Sequence, residues 1–163
     1  MPAGSTYTPI ATTTLGSAAS SYTFSSIPST YTDLILVING TESANQYIAV
    51  RFNSDSGSNY SFTRISGDGT SAASARASNE TFGRLGIGNP TNQFVVIGQF
   101  QNYSNSTTYK TWLSRSSIAA DYVGAIVGLW RSTSAITSIQ ILTTTADTFS
   151  IGTTFTLYGI AAA

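Results

Sequence analysis

The chain has 163 residues, with no histidine and no cysteine, and its seven acidic residues balance seven basic ones. Histidine is the commonest metal ligand and the side chain that most readily exchanges protons near neutral pH, and cysteine supplies thiolates. This composition disfavours an enzyme and predicts no cofactor. A net charge of zero offers no electrostatic footprint for nucleic acid or an anionic membrane.

Short runs of β-branched and aromatic residues recur at intervals of about ten to fifteen residues, separated by Gly, Ser, Asn and Asp, which is typical of an all-β sandwich or barrel. No segment has a competing helical pattern. Residues 1–163 are predicted to form a single domain. In chain order the predicted strands span residues 10–15, 22–25, 34–38, 47–52, 60–65, 82–87, 94–100, 110–114, 123–130, 136–142 and 153–160.

Side chains alternate between two faces in several of these strands. In residues 153–160, Phe155, Leu157 and Gly159 share one face, which we expect to point into the core. The aromatic residues expected in the core or between subunits are Phe24, Phe52, Phe62, Phe94, Phe100, Trp130, Phe155 and Tyr158.

Two segments are the predicted contacts with a partner. Residues 66–80 form the longest stretch without a large apolar side chain, and this pattern predicts an exposed loop in which Asp68 and Arg76 are candidate contact residues. Residues 1–8 are predicted to form an N-terminal docking arm that carries Tyr7. Residues 1–6 lack the cationic start and apolar stretch of a secretory signal, which predicts a soluble protein made in a cytoplasm.

The segment from Asn53 to Asn59 resembles half of a calcium loop, because Asn53, Asp55 and Asn59 place oxygen ligands at alternate positions. The glutamate that normally completes such a loop is missing, since Phe62 or Thr63 stands there. The alternative is a hairpin turn in which Gly57 takes a positive φ and Asp55 and Asn53 bond to the backbone. We expect the turn and no metal.

The best candidates for exposed aromatic side chains lie between two predicted strands, in residues 102–109. Tyr103 and Tyr109 are set there among Asn, Ser and Thr. An exposed aromatic beside an amide is a common way for a β-sandwich to grip a sugar ring or a protein groove. A bare turn is the alternative interpretation of this segment.

Four segments of the sequence carry a resemblance to a known family. They cover residues 22–28, 31–37, 51–61 and 152–160, reading YTFSSIP, YTDLILV, RFN followed by GSNYS, and GTTFTLYGI. In these turn and strand signatures the chain resembles small structural proteins of tailed bacteriophages, especially cyanophages and marine phages. The resemblance implies a jelly-roll-like β-sandwich, usually trimeric, located in the virion and made in a bacterial cytoplasm; it carries over no site residues.

The sequence leaves three candidate functions. The first is a capsid decoration or cement protein, which would bind the major capsid protein or another virion protein and stabilise the head. The second is a tail-fibre-tip or receptor-binding module for a host glycan, but the chain has no shaft, stem or repeats. The third is an enzyme acting on cell-wall sugars, which lacks a visible pair of converging acids. Near-zero charge and many aromatic residues also predict self-association as a homotrimer.

Overall fold

The computed structural model describes residues 6–119 and 122–161, and in these residues it contains β-strands and no α-helix. No helix there is long and apolar enough to cross a membrane. The strands are β1 (Tyr7–Thr14), β2 (Ser21–Phe24), β3 (Asp33–Gly40), β4 (Tyr47–Phe52), β5 (Tyr60–Gly67), β6 (Ala72–Glu80), β7 (Gly83–Ile87), β8 (Phe94–Gln101), β9 (Lys110–Ile118), β10 (Tyr122–Trp130), β11 (Ile139–Thr143) and β12 (Thr154–Ile160).

The strands form two antiparallel sheets. The larger sheet has eight strands in the order β1-β12-β3-β8-β9-β10-β5-β6, and the smaller has four in the order β2-β11-β4-β7. The chain crosses repeatedly between the sheets, as in the successive steps from β3 to β4 to β5. This arrangement confirms the predicted all-β, jelly-roll-like antiparallel sandwich, with somewhat more strands than the ten expected.

The core lies between the two sheets, and period-two alternation in the strands fills it. In β9 the side chains of Trp112 and Ile118 are buried, whereas their neighbours along the strand are exposed. Phe52 of the smaller sheet contacts the rings of Trp112 and Trp130 of the larger sheet, with centroid distances of 5.6 and 5.3 Å. Phe155 is fully buried, as expected, but Tyr158 is only half-buried because it points to the opposite face of β12.

One predicted loop is wrong. Residues 66–80 were expected to form an exposed loop, but Ala72–Glu80 is strand β6, paired with β5. Its side chains are small or polar and mostly exposed, so the sequence carries no apolar alternation from which a strand could be recognised. Only a short turn from Asp68 to Ser71 joins β5 to β6, closed by a 3.3 Å hydrogen bond from the Asp68 N–H to the Ser71 carbonyl.

Trp112 is held between two glycine backbones, and this contact predicts a specific overpacking effect. A Cβ added at Gly128 would overlap the Trp112 ring, and one added at Gly83 would also press against it. We expect Gly128→Ala to lower the free energy of unfolding by about 1–3 kcal/mol, the range typical of overpacking. Urea denaturation measures the loss.

Gly98→Ala is the matched control for this prediction. Gly98 is also buried in the larger sheet, but its added Cβ would meet Leu85 and Phe100 at 3.5 Å, an ordinary contact distance. We expect this variant to be close to the parent in stability. Equal losses at the two positions would show that the position of the Trp112 ring is not what forbids a side chain at Gly128.

Candidate functional site

The outer face of the larger sheet contains an open trough over strands β8, β9, β10, β5 and β6. It encloses about 790 Å³. Register places Ile97, Arg115, Ala125 and Ile65 side by side across the first four of these strands. The next row contains Val95, Ser117 and Val123. The larger side chains that line the trough are therefore mostly aliphatic.

Large aliphatic side chains are unusually exposed on this face. Ile65 is 64% exposed, Val123 61%, Val127 57% and Leu113 45%. Val127 and Leu113 lie directly opposite each other on β10 and β9, so their side chains form a continuous apolar surface. Contiguous exposed apolar surface of this kind marks an interaction site, whereas single exposed aliphatic residues do not.

The described lining of the trough offers no side chain for acid–base chemistry. Among the described residues that line it, Arg115 is the only ionisable one, and they include no carboxylate, lysine or tyrosine. A general acid or base needs a group that exchanges protons near the working pH, and arginine stays charged. These described lining residues include no aromatic ring, so they offer no platform on which a sugar ring can stack.

The oxygen atoms of the predicted half calcium loop do not converge on one point. Asn53 turns away from the loop, since its side-chain oxygen accepts hydrogen bonds from the N–H groups of Thr137 and Ser138 at 2.8 and 3.1 Å. Asp55 accepts from the Gly57 N–H at 2.8 Å and from the Asn59 amide at 2.9 Å. In residues 6–119 and 122–161 no group of three or more acids could hold a metal ion.

Asp55 instead joins its loop to the core. Its carboxylate accepts a 2.6 Å hydrogen bond from Nε1 of Trp130. Burial opposes ionisation of Asp55, but the hydrogen bonds from Trp130, Asn59 and Gly57 outweigh it and hold the pKa of this carboxyl below its usual value. The positive φ expected at Gly57 occurs instead at Asn53 and Ser54, with φ of 51° and 60°.

Asp68 and Arg76 lie on the β5–β6 hairpin rather than in a loop. Asp68 is exposed and accepts hydrogen bonds from the N–H groups of Ser71 and Thr70, at 2.7 and 2.8 Å, which lower the pKa of its carboxyl. It therefore shapes the turn. Arg76 is exposed on the outer face of β6, opposite Thr63.

The three candidate tyrosines lie in different surroundings. Tyr103 was expected to be exposed but is fully buried in the core, where its hydroxyl donates to the carbonyl of Pro28. Tyr109 is 55% exposed, as predicted. Tyr7 is equally exposed and begins β1, where it pairs with Ile160, so the predicted docking arm, residues 1–8, overlaps a strand at its end; residues 1–5 lie outside the described residues.

The candidate contact residues do not form one patch. Tyr7 lies on β1 and Arg76 on β6, which are the two opposite edge strands of the larger sheet.

The aliphatic trough was missed in the sequence, although a signal was present in β10. There Val123, Ala125, Val127 and Leu129 alternate with glycine, isoleucine and tryptophan, so both faces of the strand are apolar.

A second missed feature is a buried carboxyl group. Glu42 is 1% exposed, and neither of its carboxyl oxygens has a hydrogen-bond partner. The backbone at Gly88 passes so close that a Cβ there would overlap the Glu42 carboxyl. Burial, and to a smaller extent the charge of Asp147, together raise the pKa of Glu42 to about 8. Glu42 is therefore protonated at neutral pH.

The fold and its open outer face define the protein as a jelly-roll-like β-sandwich with an apolar trough. No protein-family profile and no curated protein matches the chain. A structure of the alginate lyase Aly36B in complex with alginate tetrasaccharide has 9% identity, with a TM-score of 0.30, over 82% of this chain and 72% of the lyase. The marine PL-14 alginate lyase from Aplysia kurodai also has 9% identity, with a TM-score of 0.33, over 82% of this chain and 70% of the lyase.

The expected function, a phage virion protein of the head-decoration or tail-fibre-tip type, is corrected by these comparisons. Both of these solved structures are alginate lyases and neither is a virion protein. At such low identity and TM-score the likeness says nothing about the substrate or activity of this chain. The function therefore has to be argued from the chain's own surfaces.

Proposed function

We propose that this protein is a non-enzymatic assembly protein that associates with further copies of itself through the outer face of its eight-stranded sheet. The observation that carries the proposal is the set of contiguous exposed aliphatic side chains on that face, which includes Ile65, Leu113, Val123 and Val127. Removing such side chains from water is favourable by about 25 cal/mol per Å² of apolar area.

The dimensions of the face suit an interface between copies. Eight strands at roughly 4.8 Å spacing span about 34 Å, and four rows of outward side chains span about 20 Å along the strands. The resulting area of about 700 Å² is close to the roughly 800 Å² per partner of a standard stable interface.

The charge of the chain supports a second copy as the occupant. The net charge is zero, so two copies approach without the repulsion that keeps highly charged proteins apart. Among the described residues of the trough Arg115 is the only charged one, and Arg76 lies at the β6 edge of the face, so little charge at the centre of the face has to be desolvated on association. A glycan occupant is disfavoured because these described lining residues include neither aromatic rings nor carboxylates.

Val127→Asp tests this proposal. Val127 is exposed and points away from the core, so a carboxylate there leaves the fold intact but becomes a buried, unpaired charge in the interface. Light scattering during gel filtration at tens of micromolar should give a multiple of 17.1 kDa for the parent and a monomer for the variant. The parent mass also tests the homotrimer expected from the sequence.

Ile151→Asp is the matched control. Ile151 is 69% exposed but precedes β12 in a turn, outside the outer face, and we expect this variant to associate like the parent. Val127→Thr, of similar shape and uncharged, should weaken association less than the aspartate. A monomeric parent, or equal association of the Val127→Asp variant and the parent, would overturn the proposal.

Since no ion pair carries the contact between copies, raising the salt concentration should leave the association of the parent protein unchanged.

A further inference from the structure

The larger sheet ends in an edge strand, β6, most of whose length lacks the usual protection against strand pairing. Edge strands expose unpaired backbone N–H and C=O groups, and native proteins guard them with proline, bulges, charges or very short length. β6 has nine residues and no proline, and its charged residues are Arg76 and Glu80. Its one bulge, at Asn79, lies near its end and leaves residues 72–78 regular. Among the described residues its only hydrogen-bonded neighbour in the sheet is β5.

The other three sheet edges are protected. β1 contains Pro9, and its register with β12 shifts between Pro9 and Ala11. β2 has only four residues. β7 has five, and its pairing with β4 contains an irregularity between Ile48 and Ala49 on the β4 side. The bulge of β6 lies near its end, so β6 keeps the longest regular run of the four edges, and this makes it the edge of the sandwich most open to strand addition.

We infer that β6 pairs edge to edge with β6 of a second copy, antiparallel and centred on Ala75. This interface is a different surface from the proposed outer-face contact and does not depend on it. Ala72 and Ser74 of β6 also line the trough, so the pairing would join the outer faces of two copies into one continuous surface.

The register follows from two independent features of β6. Regular pairing with β5 covers residues 72–78, because the register shifts between Tyr60 and Ser61 and Asn79 has a positive φ of 60°. A two-fold axis at Ala75, the middle of that run, pairs all seven residues. It also places Arg76 opposite Ser74 of the other copy, whereas an axis at Arg76 would set two arginines directly opposite each other, which destabilises a sheet.

The absence of cysteine makes the register testable by disulfide trapping. Residues directly opposite in an antiparallel pair have Cα atoms about 4.5–5.5 Å apart, which falls within the range that a disulfide spans. Ala75→Cys should therefore give a covalent dimer on mild oxidation, seen on a non-reducing gel. Ala73→Cys alone should stay monomeric, because two copies of residue 73 are about 13 Å apart along the strand.

Mixtures of variants test the same axis a second time. Residue 73 lies opposite residue 77 of the other copy, so Ala73→Cys mixed with Ala77→Cys should crosslink although neither does alone. Hydrogen-bonded and non-hydrogen-bonded pairs alternate along an antiparallel pair of strands. Residues 74 and 76 form a pair of the other type, so Ser74→Cys mixed with Arg76→Cys should also crosslink. If neither mixture crosslinks more than its separate components, and Ala75→Cys crosslinks no more than Ala73→Cys, the edge pairing is overturned.

The Val127→Asp change separates this inference from the proposed function. In an Ala75→Cys, Val127→Asp double variant the covalent dimer should persist, since β6 pairing does not use the outer face. Loss of the crosslink in that background would overturn β6 pairing as a separate interface. If the crosslink persists and the Val127→Asp variant alone has the same mass in solution as the parent, β6 pairing is supported and the outer-face proposal is overturned.

Discussion

Replacing Trp130 with alanine is expected to lower the free energy of unfolding by about 3–5 kcal/mol, the range for removing a large buried aromatic side chain. Trp130 is 2% exposed, contacts the ring of Phe52 at 5.3 Å and stacks on Tyr60 at 6.3 Å. The variant leaves a cavity where both sheets meet. Denaturant unfolding followed by tyrosine fluorescence and circular dichroism measures the change.

Trp130→Phe separates ring packing from hydrogen bonding. Phenylalanine keeps most of the ring contacts but removes the Nε1 donor to Asp55, so we expect a smaller loss, about 1–2 kcal/mol. An alanine variant within about 1 kcal/mol of the parent would mean that Trp130 does not bridge the sheets as described.

Replacing Glu42 with glutamine is expected to stabilise the protein, and increasingly so at higher pH. Burial and the charge of Asp147 raise the pKa of Glu42 to about 8 from the ordinary 4.5, so between these pH values the folded state holds a proton that the unfolded state releases. Below pH 4.5 the carboxyl is protonated in both states and has no pH-dependent effect. Stability is lost as pH rises from about 4.5 to about 8, at up to about 1.4 kcal/mol per pH unit, and levels off above that.

The comparison at two pH values is the measurement for Glu42. Glutamine has nearly the shape of the protonated side chain, so the two proteins should be similar at pH 5. At pH 7 the variant should be more stable by about 3 kcal/mol, and at pH 8 by about 4 kcal/mol. Thermal and denaturant unfolding at each pH give the difference between variant and parent, which cancels the opposite pH trends of Asp55 and Asp68.

Asp147→Asn is the control for this pH effect. It removes the charge that raises the pKa of Glu42 beyond the effect of burial, so it should flatten the pH profile only partly. A Glu42→Gln variant that is less stable than the parent at both pH values would show that Glu42 has a partner in the folded protein and is not buried alone.

Alternation of apolar and polar residues was enough to predict the two-sheet fold and most of its core. The sequence of β12 shows Phe155 and Leu157 two residues apart, and both are fully buried. β6 was missed because an edge strand with exposed faces needs no apolar side chains, and its backbone bonds to β5 leave no trace in composition. Tyr103 was misplaced because its polar neighbours suggested exposure, whereas the ring itself packs inside.

The candidate site was harder to predict than the fold. The sequence of β10 is apolar on both faces, which normally indicates a strand buried on both sides. Which of those faces lacks a covering layer depends on the position of the four-stranded sheet, a long-range property. The isolation of Glu42 likewise depends on Gly88 and Asp147, which are distant in sequence and meet only in the folded chain.

The pairing of β1 with β12 has a practical consequence for protein engineering. Tyr7 lies opposite Ile160, and the Ala161 N–H donates to the Thr6 carbonyl at 3.2 Å, so residues 6 and 161 leave the sandwich side by side. A short linker between them should permit circular permutation, with new ends opened in the exposed turn at residues 105–108. A fluorescent protein fused beside either residue would emerge next to β1, about 34 Å across the sheet from β6.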